Sequence, residues 1–401
     1  MNGVSQKDKN LPNYRTRYQT RLVDSLSEVG EQRWDGLLAL SLANGQSDEA
    51  REINPFLRFA FLHALHESGC ASADTGWQPQ FITVWEGEQL AAAMPLYLKW
   101  HSYGEYVFDW AWADAYQRHG LEYYPKLLSA IPFTPVTGAR LLARDADAYT
   151  ALIGAVQDLR CNPAFSSMHV LYPPEQQADT LQDAGFMLRT GVQFHWTNAG
   201  YGDFDDFLES LERKKRKNIR AERRKVVEAG VSFRQVVGQE ITPEQWAFFT
   251  SCYDHTYAMH GSTPYLNLDF FTRIGAAMPE NILLIIAERA GKPIASSLVF
   301  HTETTLYGRY WGGLEDIPCL HFETAYYQPL EFCIRRGLRS FEGGAQGEHK
   351  MARGFLPQKT WSAHWLAHPG FADAIVHFLQ RESGGINAYM DELNERNPFK
   401  S

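Results

Sequence analysis

The chain carries the same run of supersecondary signals twice, and that repeat limits its fold more than any single residue does. In the first half, FITVWEGEQLAAAMPLYLK (81–99) reads as two strands joined by a turn at Glu86 to Gln89, followed by a third strand around Tyr106 to Trp110 and a helix around Tyr123 to Ala130. In the second half, NILLIIAERAGKPIASSLVFHTETTLYGRYWGG (281–313) reads as a hairpin turning at Ala290 to Lys292, another strand, and a helix from about His321 to Arg336. The helices echo each other in LEYYPKLL and TAYYQPLEF. One shared order of elements implies a duplicated unit. At 401 residues the chain is also long for one core, so two domains of mixed α+β structure are expected. The boundary falls near Asn198 to Gly202, where small and polar residues follow a strand around Val192 to Trp196. The last thirty residues read as helical with a break at Gly384 and Gly385, packing back on the first half.

Charge is distributed unevenly. The net charge of -9 disfavours broad nucleic-acid binding, yet Arg213 to Lys225, RKKRKNIRAERRK, carries nine basic residues and one acid. A helix is expected there, because Asp203, Asp205 and Asp206 suit its N-terminus, no Pro or Gly interrupts it, and Gly230 follows as a stop. Leu208, Leu211, Ile219 and Val226 would form its narrow apolar stripe. The basic residues then make either a solvated face or a polyanion site, for RNA, a phosphorylated ligand or a cofactor pyrophosphate, with Lys214, Lys215, Arg216 and Arg220 as contacts. Five scattered cysteines without CxxC or Cys/His spacing argue against a disulfide framework and a zinc site, so they read as buried small hydrophobes and no metal is expected. No apolar run approaches the roughly 18 to 20 residues that cross a bilayer, and the first residues lack the apolar core of a signal peptide. A cytoplasmic protein without a transmembrane segment is therefore expected.

Chemistry concentrates in FEGGAQGEHKMARGF (341–355). There Glu348, His349, Lys350 and Arg353 follow Gly343, Gly344 and Gly347. Three titratable side-chain types in consecutive positions, beside a permissive backbone, suit a site better than a fold element. If a strand pleat runs through them, Glu348 and Lys350 share a face and His349 points away. The corresponding place in the first half, IPFTPVTGARLL, has no acid, His or Lys. The second half is thus expected to hold the reactive groups, with the first half shaping a cleft against it. Tyr307, Arg309 and Trp311 alternate along one strand as a substrate wall, although an ordinary amphipathic strand explains them equally well. His321 and Glu323 stand where the second helix begins and are ligand contacts on the functional reading, helix-terminus residues on the plain one. Tyr103, Glu105, Asp109 and Trp110 combine carboxylates with aromatics as an amino substrate would require, and core packing is the alternative for the tryptophan.

The basic helix LERKKRKNIRAERRKVVEAGV, the hairpin GKPIASSLVF and FEGGAQGEHK resemble, in this order, the second half of the FemAB-like branch of the GNAT N-acyltransferase superfamily. More narrowly, PLYLKWHSYGEYVFDWAWADAY, YYPKLLSAIPFTPVTGARLL, GRYWGG and GAQGEHKMARGFLPQKTWSAHW resemble a bacterial family of predicted N-acyltransferases labelled peptidoglycan-biosynthesis-like, over about residues 22–368. The resemblance implies two tandem GNAT-like domains, 20–199 and 200–368, each a mixed, mostly antiparallel sheet flanked by helices. The second would contain the basic helix at 207–229, and a helical tail at 369–401 would follow. It also implies transfer of an acyl or aminoacyl group to a small-molecule amine acceptor. In the FemABX relatives the donor is an aminoacyl-tRNA and the acceptor a peptidoglycan precursor, but their long helical hairpin is here only the stretch from Arg213 to Gly230. The acetyl-CoA loop Q/R-x-x-G-x-G/A is missing as well, since the turn before the second helix is GGLEDIPCLHFE. The donor therefore stays open among acyl-CoA, an acyl-carrier protein and an aminoacyl-tRNA. Within this chemistry Glu348 or His349 takes the proton of the amine, with Glu348 favoured by the pleat. Lys350 matches the family's strand-ending lysine and stabilises the developing oxyanion, and Arg353 binds a carboxylate or phosphate. The competing class is a catalytically silent ligand-binding protein on the same scaffold, because a scaffold does not fix chemistry.

Overall fold

A computed structural model describes residues 17–43, 52–345 and 347–400. Fifteen strands are present among them: β1 Gln19–Val23, β2 Trp77–Pro79, β3 Phe81–Glu86, β4 Gln89–Met94, β5 Tyr97–Lys99, β6 Lys126–Ser129, β7 Leu142–Ala143, β8 Ser167–Leu171, β9 Met187–Thr197, β10 Val231–Val237, β11 Ile282–Arg289, β12 Lys292–His301, β13 Thr305–Gly313, β14 Ser340–Glu342 and β15 Leu356–Leu366. Four form a small sheet in the order β1-β3-β4-β7, and eleven form one long sheet, β10-β11-β12-β13-β14-β9-β15-β8-β6-β5-β2. Both expected hairpins close where the turn residues put them. Glu86 pairs Gln89, and Arg289 pairs Lys292 around Ala290 and Gly291. These last two have φ of 51° and 74°, the two left-handed positions of a tight hairpin turn. The run ILLIIA in β11 is buried along its whole length, as befits a strand covered on both faces.

The boundary at Asn198 is a boundary only along the chain. Strand β9, the last of the first half, lies between β14 and β15 of the second, and β15 in turn pairs with β8. Strands of the two halves thus alternate in one continuous sheet. This holds a site at the seam as rigidly as a sheet holds its own residues.

The repeat is looser in the first half than the sequence suggests. Residues 106–109 are a loop, not a strand, the helix is Trp110–Arg118, and the expected helix at Tyr123 to Ala130 is strand β6. All four residues of β6 are buried, and it is hydrogen-bonded to β5 on one side and β8 on the other, so a site in the sheet overrides the local pattern. LEYYPKLL therefore leads into a strand while TAYYQPLEF lies in the expected helix. The latter runs from Leu320 to Arg336 with one wide turn at Glu323–Tyr327. The basic helix is also shorter than expected: Phe204–Ser210 and Arg213–Glu228 are separate helices. They part at Leu211 and Glu212, whose backbone joins that of Phe399 and Pro398. Its stripe of Leu208, Leu211, Ile219 and Val226 is buried as the spacing predicts.

The terminal helix Pro369–Glu395 runs straight through Gly384 and Gly385, against the expected break. Two interior glycines cost about 1 kcal/mol each, and burial of Ile375, Leu379 and Leu393 offsets that. Phe371 stacks on Tyr116 of the first half with ring centroids 4.2 Å apart. Of the cysteines, Cys70, Cys252 and Cys333 are buried as expected, whereas Cys161 is exposed and Cys319 half-buried. Among the described residues no helix is long and apolar enough to cross a membrane.

Candidate active site

The central irregularity of the long sheet lies at β13. It pairs in parallel with β14 only through Thr305–Ser340, Leu306–Phe341 and Tyr307–Glu342, although β13 runs on to Gly313. Paired residues share a face, so Tyr307, Glu342 and its β9 partner His195 point the same way, with Gln193 two residues along. Between β12 and β13 the register slips: Leu298 faces Tyr310 and Val299 faces Gly308, which leaves Arg309 as an extra residue. Such a bulge re-aims side chains. Tyr307 and Tyr310 both join the core shared with the first half. Trp311 turns to the opposite face, 4.9 Å from the His321 ring. The expectation that Tyr307, Arg309 and Trp311 line one face fails for this reason. Arg309 reaches toward the first half, donating from Nη2 to the Phe133 carbonyl at 3.0 Å. Phe133 itself has φ 58°, a left-handed conformation that costs a bulky residue energy and clusters at functional sites.

Glu342 ends β14 where the strands part, and Lys350 returns to the turn that follows it, its Cδ 3.2 Å from where a Cβ on Gly343 would lie. Burial pushes the Glu342 carboxyl up to about 8, opposed only by Arg309. Its Oε2 is buried without a partner among the described residues, and so is Nε of Arg309. After β14 the backbone turns through Gly344, φ 85°, and Gly347, φ 117°, into a 3-10 helix, Glu348–Arg353, in place of a continuing strand. A Cβ on Gly347 would also meet the His349 ring at 2.4 Å. With about three residues per turn, Lys350 and Arg353 share a side. Glu348 lies outside, accepting from Tyr389 Oη at 2.6 Å and Arg396 at 3.2 Å in and beyond the terminal helix. Those two bonds hold its carboxyl below the ordinary range. The shared face of Glu348 and Lys350 required a strand, and the 3-10 turn removes it. Lys350 is only 2 % exposed and donates to the Gly344 carbonyl at 3.1 Å. Burial, then the Arg309 charge, lowers its ammonium to about 7. It is felt on both sides of the sheet: burial and Lys350 lower His195 to about 4 on one, and the Lys350 charge also weighs on His321 and His349 on the other.

The helix side holds residues committed to one another. Arg353 donates from Nη2 to both oxygens of Glu222, at 2.9 and 2.8 Å, and stacks 3.5 Å from the Phe322 ring centroid. Its fork is therefore occupied by a protein carboxylate rather than free for a ligand. Glu323, buried, accepts from Arg223 at 2.8 Å and from Gln328 at 2.9 Å, which makes it an internal anchor for the basic helix. His349 lies 3.3 Å from Tyr326 Oη, and burial followed by Arg353 lowers its pKa, so it is neutral at pH 7. His321, lowered to about 4 by burial and then by His349, is also neutral.

On the first-half face a cleft of about 280 Å³ is bounded by Tyr106, Tyr172, Gln193, Ala345 and Ser362. Tyr106 and Tyr172, raised chiefly by burial, both feel the Arg309 charge. Glu105 and Asp109 flank the wall residues Tyr106 to Phe108, but their carboxylates point inward. Lys126 donates to Glu105 at 2.9 Å, to Ser102 at 2.8 Å, and to Asp109. Tyr123 donates to Asp109 at 2.7 Å and lies 3.0 Å from His169, whose Nδ1 is 2.8 Å from Nδ1 of His364. Both carboxylates are thus bonded inside the fold, beside the wall rather than in the lining of this cleft. Tyr103 and Trp110 are on the outside, packed edge to face with centroids 4.9 Å apart and 60 % and 40 % exposed.

Along the basic helix, Arg216 pairs with Glu209, Arg220 with Asp205 and Glu209, and Arg223 with Glu323 and Glu331. Lys214 and Lys215 have no acid partner among the described residues, nor do Arg213, Lys217, Arg224 and Lys225. The four expected polyanion contacts thus divide into two free cations and two already paired.

Residues 25–401 match the family model FemAB-like, described as peptidoglycan biosynthesis/recognition. The chain belongs to the FemAB-like family. No curated protein shows significant similarity to it. Among solved structures, this FemAB-like chain is similar to FemX, at 11% identity and a TM-score of 0.52, over 89% of this chain and 100% of that one. It is likewise similar to the C-terminal domain of a putative lysylphosphatidylglycerol synthetase from Agrobacterium fabrum, at 10% identity and TM-score 0.52, covering 88% and 95%. A conserved protein of unknown function from Bacteroides thetaiotaomicron gives 12% identity and TM-score 0.51, covering 86% and 99%. At these identities the likeness is one of fold, and it agrees with the mixed, duplicated α+β architecture expected from sequence.

Four functional candidates went unnoticed in the sequence of this FemAB-like chain: Glu342, His195, Glu222 and Lys126. Glu342 had a signal, since it ends an apolar strand just before two glycines, and Glu222 had one as the lone acid of the basic run. His195 and Lys126 had none.

Proposed function

We propose that this chain transfers an acyl or aminoacyl group to an amine, with the acceptor entering the cleft between the halves and the reaction taking place at Glu342 and Lys350. The observation that carries the reading is two buried titratable groups set on either side of one glycine turn. A carboxyl raised to about 8 and an ammonium lowered to about 7 stand where the strand pairing stops, and buried groups shifted toward neutrality are what proton transfer uses. Glu342 takes the proton from the acceptor's ammonium. The freed amine nitrogen attacks the donor carbonyl carbon, Lys350 in its charged form stabilises the oxyanion, and collapse breaks the bond to the leaving sulfur or oxygen, which receives the first proton from Glu342; the carboxylate so restored takes the second proton from the nitrogen and gives the neutral amide. Neutral His349 and His321, across the sheet, line the approach of the donor. Glu348 has no part in this chemistry because its carboxylate is engaged by Tyr389 and Arg396.

The donor class, acyl-CoA, acyl-carrier protein or aminoacyl-tRNA, turns on the basic helix. Glu222 bonds Arg353 behind the site, and Lys214 lies eight residues earlier, about 12 Å along the helix axis. A polyanion laid along the free cations would have its end near Lys350. Reversing Lys214 and Lys215 to Glu is expected to abolish RNA that copurifies with the protein, whereas reversing the paired Arg220 has a smaller effect. Unchanged bound RNA in the double variant would remove the helix from consideration as the RNA site.

The direct test is to supply radiolabelled acetyl-CoA, and separately tRNA charged with labelled amino acids, with pooled primary amines. Acid-stable amide product from either donor, lost in Lys350→Ala, supports transfer. Absence of amide with every donor, in protein that still binds amines, leaves the ligand-binding protein. A second check needs no substrate. Peptide mass spectrometry after brief acetic anhydride pulses across pH should give Lys350 a reactivity midpoint near 7, against about 10.4 for an ordinary lysine. A midpoint above 9 would exclude Lys350 as a neutral-pH participant.

A further inference from the structure

Arg309 and Glu342 are opposite charges that lie within electrostatic reach and yet do not pair. No ion pair joins them among the described residues; Arg309 spends one donor on the Phe133 carbonyl, and its Nε is buried with no acceptor. Glu342 keeps Oε2 buried with no donor. The sheet holds them apart. Glu342 is tied in register between Tyr307 and His195, and the bulge at Gly308 and Arg309 throws the guanidinium toward the first half. Two buried polar groups left unmatched each cost about 1 to 3 kcal/mol, more when charged, and a ligand that bonds both recovers that cost. A plain amine would complete only Glu342, and a plain anion only Arg309. A molecule carrying an ammonium and a carboxylate completes both.

We infer that the acceptor is an amino carboxylate, a free amino acid or the carboxyl-bearing end of a short peptide, with its anion on Arg309 and its amine at Glu342. The inference rests on the acyl-transfer reading for the role of the amine, but the binding mode stands without it. A planar guanidinium with several donors free matches a carboxylate in a bidentate fork, which Lys350 as a point charge does not. The neighbouring cleft would give access: Tyr106 and Tyr172 in its wall lie within reach of the Arg309 charge, and its lining includes Gln193, on the face of the sheet that bears Glu342. Bound ammonium also returns Glu342 to its charged form, and the ligand's proton then has an acceptor beside it.

The experiment measures protection of Lys350 from acetic anhydride by glycine, β-alanine, 4-aminobutanoate and 6-aminohexanoate, against n-butylamine and butanoate, with saturation-transfer NMR as a second readout. At least one amino carboxylate is expected to protect at concentrations tenfold or more below either single-function compound. That advantage should fall below twofold in Arg309→Gln and drop at least threefold in Arg309→Lys, which keeps the charge without the fork. Equal protection by butylamine overturns the inference, as does an advantage that survives Arg309→Gln in protein with a native circular dichroism spectrum. If Arg309→Gln does not fold, an undiminished advantage in Arg309→Lys overturns it. The two readings fail separately. Arg309-dependent binding without amide from any donor removes transfer and leaves this site, while transfer to simple amines that is indifferent to Arg309 removes this site and leaves transfer.

Discussion

Lys126→Met is expected to destabilise the protein by on the order of 3 to 5 kcal/mol at pH 7, as a shift in the urea midpoint. Lys126 is fully buried, and its ammonium is the shared partner of Glu105 and Asp109, so its removal leaves two carboxylates in the core. Lys99 cannot take over: it stands 4.0 Å from Glu105 and is committed to the Tyr103 carbonyl and the face of Trp77. The sign of the pH dependence follows. In the wild type, against the cost of burial, Lys126 and then His169 hold Asp109 below the ordinary carboxylate range. Its stabilising contribution is therefore present above the unfolded pKa and lost as pH falls through the folded one. In the variant both acids titrate higher, so the deficit should shrink as pH falls toward 5. Adding Glu105→Gln and Asp109→Asn to Lys126→Met should recover much of the loss, since replacing a whole buried ionic group costs far less than breaking it. A midpoint shift worth less than about 1 kcal/mol at pH 7 would show that water already reaches these groups. Because Glu105 and Asp109 bracket Tyr106 to Phe108, faster amide exchange in that segment should accompany the loss.

Glu342→Gln should separate activity from stability. Loss of the proton acceptor is expected to lower transfer by roughly 10²- to 10⁴-fold, in kcat more than in KM, because the proton moves in the chemical step. The same substitution should stabilise the fold at high pH. The folded carboxyl titrates at about 8, above its ordinary 4.5, so its contribution is fully present below 4.5 and declines as pH rises to about 8. Gln removes that decline. The variant should equal the wild type near pH 4 and exceed it by on the order of 3 kcal/mol above pH 8. Activity that persists, or a variant less stable than wild type at pH 9, would move the proton acceptor elsewhere and leave Glu342 an ordinary strand-end acid. A functional site that costs stability is a common trade, and here it would be read in one substitution.

The segment that drew attention in the sequence holds both Glu342 and Lys350, on which the proposed chemistry rests, but its four singled-out residues do not point together. Lys350 is at the junction; Glu348 faces the terminal helix, His349 the opposite side of the sheet, and Arg353 the Glu222 carboxylate. The pleat argument failed because Gly344 and Gly347 let the chain leave the strand after Glu342, and glycines announce that freedom without saying how it is used. Arg309 was expected to share a face with Trp311 and does not. A bulge depends on how β12 and β13 register against each other, and nothing in TLYGRYWGG fixes that offset.

Local chemistry settled the hairpin at Ala290 and Gly291, the helix ending at Arg336 and the apolar stripe of the basic helix. Each depends on neighbours a few residues apart, where turn preference and periodicity act. Tertiary structure decided that Lys126 of β6 would meet Glu105 and Asp109, that β9 would thread between β14 and β15, and that Glu342 and Arg309 would lie within electrostatic reach without pairing. Those are encounters between residues far apart in the chain. They are selected by which strand edges find each other and by the cost of burying charge, and neither is written in any single stretch of sequence.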